Sequence, residues 1–106
     1  MDKITAVKRA DSSFLGWAFY CPGCECDHIA YTEESWNGQD RTGGVWNWNG
    51  DRETPTFTPS LKITYPLEGG KSLKICHFFV EAGQIRYLSD CTHGLKGKTV
   101  QMEDYK

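Results

Sequence analysis

Along much of this chain apolar and polar residues alternate, and they seldom fall at the three- and four-residue spacing of a helix face. Residues 3–9 alternate weakly and predict a first strand. Asp11-Ser12-Ser13 is a turn signal. Residues 14–20 are dense in aromatics and predict a second strand that runs straight into Cys21; residues 29–32 predict its return partner. Residues 33–44 are polar, with Asn37-Gly38 and Gly43-Gly44, and predict a loop. In residues 45–51, Trp46 and Trp48 lie two apart and share one face of a strand. Residues 54–60 contain Pro55 and Pro59, each without an N–H, so an extended edge or a loop pinned by Phe57 is expected. Residues 61–65 alternate cleanly and predict a strand, and 66–72 a loop. Residues 73–80 and 85–88 predict a hairpin about Ala82-Gly83, and a short segment ends at residues 99–102. No helical periodicity exceeds two turns. The pattern predicts an all-β or mostly β fold, a small antiparallel sheet in a single domain over residues 1–106.

Composition adds a constraint. The chain has 106 residues, 39% hydrophobic and 13% aromatic, so its core rests on few, large side chains. A domain of this size gains from a metal cross-link. The net charge of −2 argues against a nucleic-acid coat or a membrane-surface binder. Residues 21–60 are mildly acidic and residues 61–106 mildly basic, which reads as ordinary solvated surface. The first residues form no apolar signal region and no stretch is long enough to span a bilayer, so a cytosolic setting without membrane partners is expected. There, the five cysteines read as metal ligands or redox groups rather than disulfides.

The chemistry gathers in three motifs. Cys21-Pro22-Gly23-Cys24 has the spacing of a zinc knuckle, with Pro22 and Gly23 shaping the turn. A redox pair would want a long helix after it, and a Tyr/Thr stretch follows instead. Cys76-His77 and Asp90-Cys91-Thr92-His93 offer the remaining ligands. The hairpin brings both motifs together, and Cys76 and His77, being adjacent on a strand, face opposite ways. The expected set is Cys21, Cys24, Cys76 and His93 around a structural Zn²⁺, with Cys91 or His77 as alternates, His28 recruitable, and Cys26 a partly buried free thiol. The knuckle at a hairpin tip is ribbon-like. An Asp beside a His can orient the imidazole, so His77, Asp90 and His93 form a second constellation that fits a metal-dependent hydrolase or nuclease with an open zinc. Trp46, Trp48 and Phe57 could stack on single-stranded nucleic acid or anchor a protein. Core packing is expected for Trp46 and Phe57, and an exposed binding surface for Trp48, Asn49 and Arg52.

Cys-Pro-Gly-Cys, Trp-Asn-Trp-Asn-Gly-Asp, Pro-Thr-Phe-Thr-Pro-Ser, Cys-His-Phe-Phe and Asp-Cys-Thr-His in this order resemble a family of small uncharacterised proteins of tailed bacteriophages and prophages, across about residues 17–102. Some members carry the label ammonia monooxygenase, a chemistry that would require a membrane copper enzyme. The loop at residues 33–45 and Cys26 depart from the family pattern. The resemblance implies a phage origin and the bacterial host cytoplasm. With good metal ligands and no evident nucleophile–base pair, the expected role is a non-enzymatic interaction module that binds a host or phage protein, with single-stranded nucleic acid as a further partner and the hydrolase as the alternative.

Overall fold

The computed structural model describes residues 1–36, 44–66 and 73–105. Strands β1 (Thr5–Lys8), β2 (Phe14–Cys21) and β3 (Cys26–Ala30) form one antiparallel sheet in the order β1-β2-β3. Strands β4 (Asn47–Trp48), β5 (Phe57–Pro66), β6 (Leu73–Glu81), β7 (Gln84–Tyr87) and β8 (Thr99–Gln101) form a second, again in chain order. A 3-10 turn at Glu33–Trp36 follows the first sheet. Among the described residues there is no α-helix. The fold is nearly all β, as the alternation predicts.

Both sheets contribute to one core. Phe19 of β2 stacks 6.3 Å from Phe57 of β5 and meets Phe78 of β6 edge-on at 5.9 Å. Trp17, Leu61, Val80, Ile85 and Tyr87 surround them, all buried. Each such side chain stabilises the fold by about 1.5–3 kcal/mol on burial, so a few large rings suffice where aliphatics are scarce. The β6–β7 turn is tight, with Ala82 at φ 48° and Gly83 at φ 79°. Two successive positive angles match the twist of the flanking strands, which is why glycine stands at position 83.

The register of β5 on β6 decides where the chemistry goes. Leu61 pairs with Phe78 and Ile63 with Cys76. Leu61, Phe78 and Cys76 are buried on the core face. Lys62 pairs with His77 in between, so His77 turns to the outer face.

Two expectations need correction. Residues 54–60 are not a sheet edge: Phe57 pairs with Trp48 on one side and Val80 on the other. The prolines are accommodated because Pro55 precedes β5 and Pro59 lies where the ladder skips between Phe57 and Leu61. Trp48 is not an exposed anchor. Its ring lies 4.5 Å from Trp17 and 6.4 Å from Phe57, packed on the core together with Trp46. Its neighbours build the same loop. Asn49 Oδ1 accepts from the Asp51 and Thr56 amides, its Nδ2 donates to the Thr54 carbonyl, and the Arg52 guanidinium lies 4.7 Å over Trp17. The polar loop expected over residues 33–44 begins as the 3-10 turn; its residues 37–43, and 67–72 of the loop expected at 66–72, lie outside the described residues.

Candidate active site and metal centre

The knuckle follows β2 directly. The Glu25 amide donates back to the Cys21 carbonyl at 2.8 Å, which closes the turn. Cys76 enters from the core face of β6, and His93 from the segment after β7. The sulfurs of Cys21, Cys24 and Cys76 and one ring nitrogen of His93 all lie within 4.8 Å of one another. Cys21 Sγ is 3.8 Å from Cys76 Sγ, and Cys76 Sγ is 3.4 Å from His93 Nε2. The four residues are compatible with a metal site. They are also the set expected from the sequence.

The charge state suits a cation. The hydrogen bond from the Cys76 thiol pulls the Cys21 thiol well below its ordinary range, against the effect of burial, and the same contact pushes Cys76 up. Tyr87 lowers Cys21 further through its own hydrogen bond. One negative charge is thus stabilised between Cys21 and Cys76, and a bound cation would displace the protons left on Cys76 and on Cys24, whose thiol burial also pushes up. The Tyr87 hydroxyl donates to Cys21 Sγ at 3.1 Å and accepts from the Gly23 amide at 3.3 Å, tying the sheet to the knuckle. His28 is buried beside Phe19 and Phe78 and is a neighbour of the cluster rather than a member. Cys26 is exposed, where partial burial was expected.

Gly23 has no alternative here. A Cβ on it would sit 2.5 Å from His93 Nε2. Gly23→Ala is therefore expected to push the imidazole out of the cluster and lower metal affinity by one to two orders of magnitude, roughly what losing a ligand's support costs. A competitive chelator titration of both proteins measures this.

On the outer face a different group assembles. Ser60 Oγ lies 3.1 Å from His77 Nε2. His77 Nδ1 lies 2.9 Å from Asp90 Oδ2 and 3.1 Å from Oδ1. Ser60 occupies the irregular stretch between Phe57 and Leu61, where a departure from the ladder re-aims a side chain. Its carbonyl is held by the Trp46 indole at 3.1 Å. The His77 hydrogen bond, ahead of the charges of His77 and Lys62, keeps the Asp90 carboxyl below its usual range. An ionised Asp90 accepts a hydrogen bond from His77 Nδ1–H, which leaves the Nε2 lone pair facing the serine hydroxyl. This is the arrangement of a hydroxyl nucleophile, its base and the group that orients the base. His77 is 22% and Asp90 43% exposed, so a substrate has access.

The metal-dependent hydrolase site expected from His77, Asp90 and His93 does not form. His93 joins the sulfurs on the core side, while His77 and Asp90 face outward. Neither His77 nor Cys91 belongs to the metal group. The residue that sequence reasoning missed is Ser60. Its only signal is a serine placed directly after the proline that breaks the β5 ladder.

Residues 1–88 match the model of a family described as BubE, bacterial ubiquitination-like system serine protease. The chain belongs to the BubE family. No curated protein and no solved structure matches it. The BubE match includes Ser60 and His77 and ends just before Asp90. It overturns the expectation of a non-enzymatic interaction module, since the BubE family is one of enzymes. Serine and histidine are seventeen positions apart and meet only through the β5–β6 register. Among the described residues no helix is long and apolar enough to cross a membrane.

Proposed function

We propose that this chain is a serine hydrolase that cuts acyl bonds with Ser60 as nucleophile, His77 as general base and Asp90 as its orienting carboxylate. The observation that carries this reading is the unbroken Ser60–His77–Asp90 hydrogen-bond chain. The family description, a bacterial ubiquitination-like system serine protease, supports a peptide or isopeptide bond in a conjugate of a ubiquitin-like protein as the substrate we propose, and a bacterial cytoplasm as its setting. The partner is then a protein substrate, and a phage setting is not needed for it.

The steps follow from the geometry. Ser60 Oγ attacks the substrate carbonyl carbon while its proton passes to His77 Nε2. Asp90 stabilises the imidazolium that results. The tetrahedral adduct collapses, the C–N bond breaks, and His77 returns the proton to the departing amine. Water, deprotonated by His77, then attacks the Ser60 ester; the bond from the acyl carbon to Ser60 Oγ breaks, His77 returns the proton to Oγ, and the acid leaves. Oxygen, nitrogen and proton all balance over the cycle, and no redox change occurs.

We infer further that Cys21, Cys24, Cys76 and His93 hold zinc. Three thiolates and one imidazole are a closed structural donor set. The ion would supply rigidity and take no part in the hydrolytic steps.

A fluorophosphonate reacts with an activated serine hydroxyl. Incubation followed by peptide mass analysis is expected to place one adduct on Ser60. An adduct on another residue, or none on folded, metal-loaded protein, would overturn the assignment.

A further inference from the structure

This inference rests on the hydrolytic reading of Ser60, His77 and Asp90. Strand β7 ends at Tyr87, and the last ladder-like bond runs from the Leu88 amide to the His77 carbonyl at 2.9 Å. Beyond it, among the described residues, 75–77 of β6 have no strand on that side. Four consecutive residues take the strand's place. Asp90 binds the His77 imidazole. Cys91 receives the His77 amide on its sulfur at 3.2 Å and donates its S–H to the His77 carbonyl at 3.1 Å. The Thr92 amide donates to the Ile75 carbonyl and its hydroxyl accepts from the Ile75 amide, both at 3.0 Å. His93 reaches the Cys76 sulfur.

We propose that Cys91 is a positioning residue of the hydrolytic site: its thiol, bonded to both backbone groups of His77, fixes the base against Asp90 and Ser60. Three observations support this. Cys91 is 4% exposed, so its thiol meets no competing water. It stands outside the metal group, so that role does not explain its burial. It is the neighbour of Asp90, so one short segment sets both the imidazole's strand and the carboxylate that orients it. A thiol suits the position because one sulfur can accept and donate at once, and the longer C–S bond reaches both groups. Without it, the His77 amide would be left buried and unpaired. A displacement of about 1 Å in the base lowers turnover by about 10²-fold.

The test compares Cys91→Ala, Cys91→Val and Cys91→Ser in the metal-loaded full chain. Turnover of an activated aryl ester is expected to fall about 10²-fold in kcat for alanine, with KM unchanged, and serine is expected to recover most of the loss because its hydroxyl also donates and accepts. Valine retains bulk where alanine leaves a void; it is expected to fail like alanine. A second readout is independent of catalysis. In a Ser60→Ala background, the downfield proton resonance of His77 Nδ1–H is expected to survive in Cys91→Ser and to broaden away in Cys91→Val. Either of two results overturns the proposal: full kcat and an intact resonance in the valine variant, or a serine variant as damaged as valine. An intact pattern of resonances with no ester turnover even in the native protein would sink the hydrolytic reading and leave the positioning role standing.

Discussion

Ser60→Ala is expected to lower kcat/KM toward an activated ester or a peptide amide by about 10⁴- to 10⁶-fold, because the hydroxyl is the atom that attacks. The fold should not notice. The Ser60 side chain has His77 as its hydrogen-bond partner, and the contact that holds the segment, Trp46 to the Ser60 carbonyl, is made by the backbone. The melting temperature and the metal content are therefore expected to stay at native values. Asp90→Asn should lose about 10⁴-fold, since a carboxamide can hold the imidazole in the wrong tautomer. Combining Ser60→Ala with His77→Ala should be no worse than either alone, because residues that act as a unit do not add. Steady-state kinetics on purified, metal-loaded variants read all of this. More than a tenth of native activity in Ser60→Ala would show that the hydroxyl is not the nucleophile.

The Cys/His cluster is legible in the sequence and the proposed nucleophile is not, for a physical reason. Cys21 and Cys24 announce themselves because two sulfurs on one turn have few other uses. Cys76 and His93 are the first choice because a ligand on each arm of the hairpin about Ala82-Gly83 closes a site, while strand parity says only that Cys76 and His77 face opposite ways and leaves His77 and Cys91 open as alternates. Ser60 offers no such constraint. Serine is common, and what singles it out is a skipped position in the β5 ladder, a feature created by pairing with β6. The prolines predict an extended edge or a loop pinned by Phe57, yet Pro59 sits inside a paired strand at the break that presents the serine. The same blindness applied to Trp48. Alternation placed it on a face, but only the approach of Trp17 from the other sheet made that face the core. Sequence spacing therefore gave the elements and the local turn chemistry, and the sites that depend on contacts between sheets had to come from structure.

Stripping the metal, or Cys21→Ser, is expected to abolish hydrolysis even though no hydrolytic step uses the ion. Two adjacencies force this. Cys76 would hold the metal from one face of β6 while His77, the proposed base, lies on the other, and Asp90 lies three residues before His93. Structural zinc in small peptides contributes about 10–16 kcal/mol, which is comparable with the whole stability of a typical domain, about 5–15 kcal/mol. Loss of the ion should thus unfold the knuckle and much of the sheet. His93→Ala separates the two effects. It removes one of four ligands, so the sulfurs are expected to retain the ion more weakly and the core to stay folded, while the segment from Asp90 to His93 loses its far anchor. Turnover should then drop about 10²-fold with circular dichroism near native. Following ion release, ellipticity and ester turnover together during titration with a chelator checks the prediction. The expected course is release of one ion per chain, with turnover lost in step. Hydrolysis that persists in folded, stripped protein would mean that Asp90 and His77 hold their positions without the ion. The Cys91 and Thr92 contacts alone would then suffice to close the segment on β6.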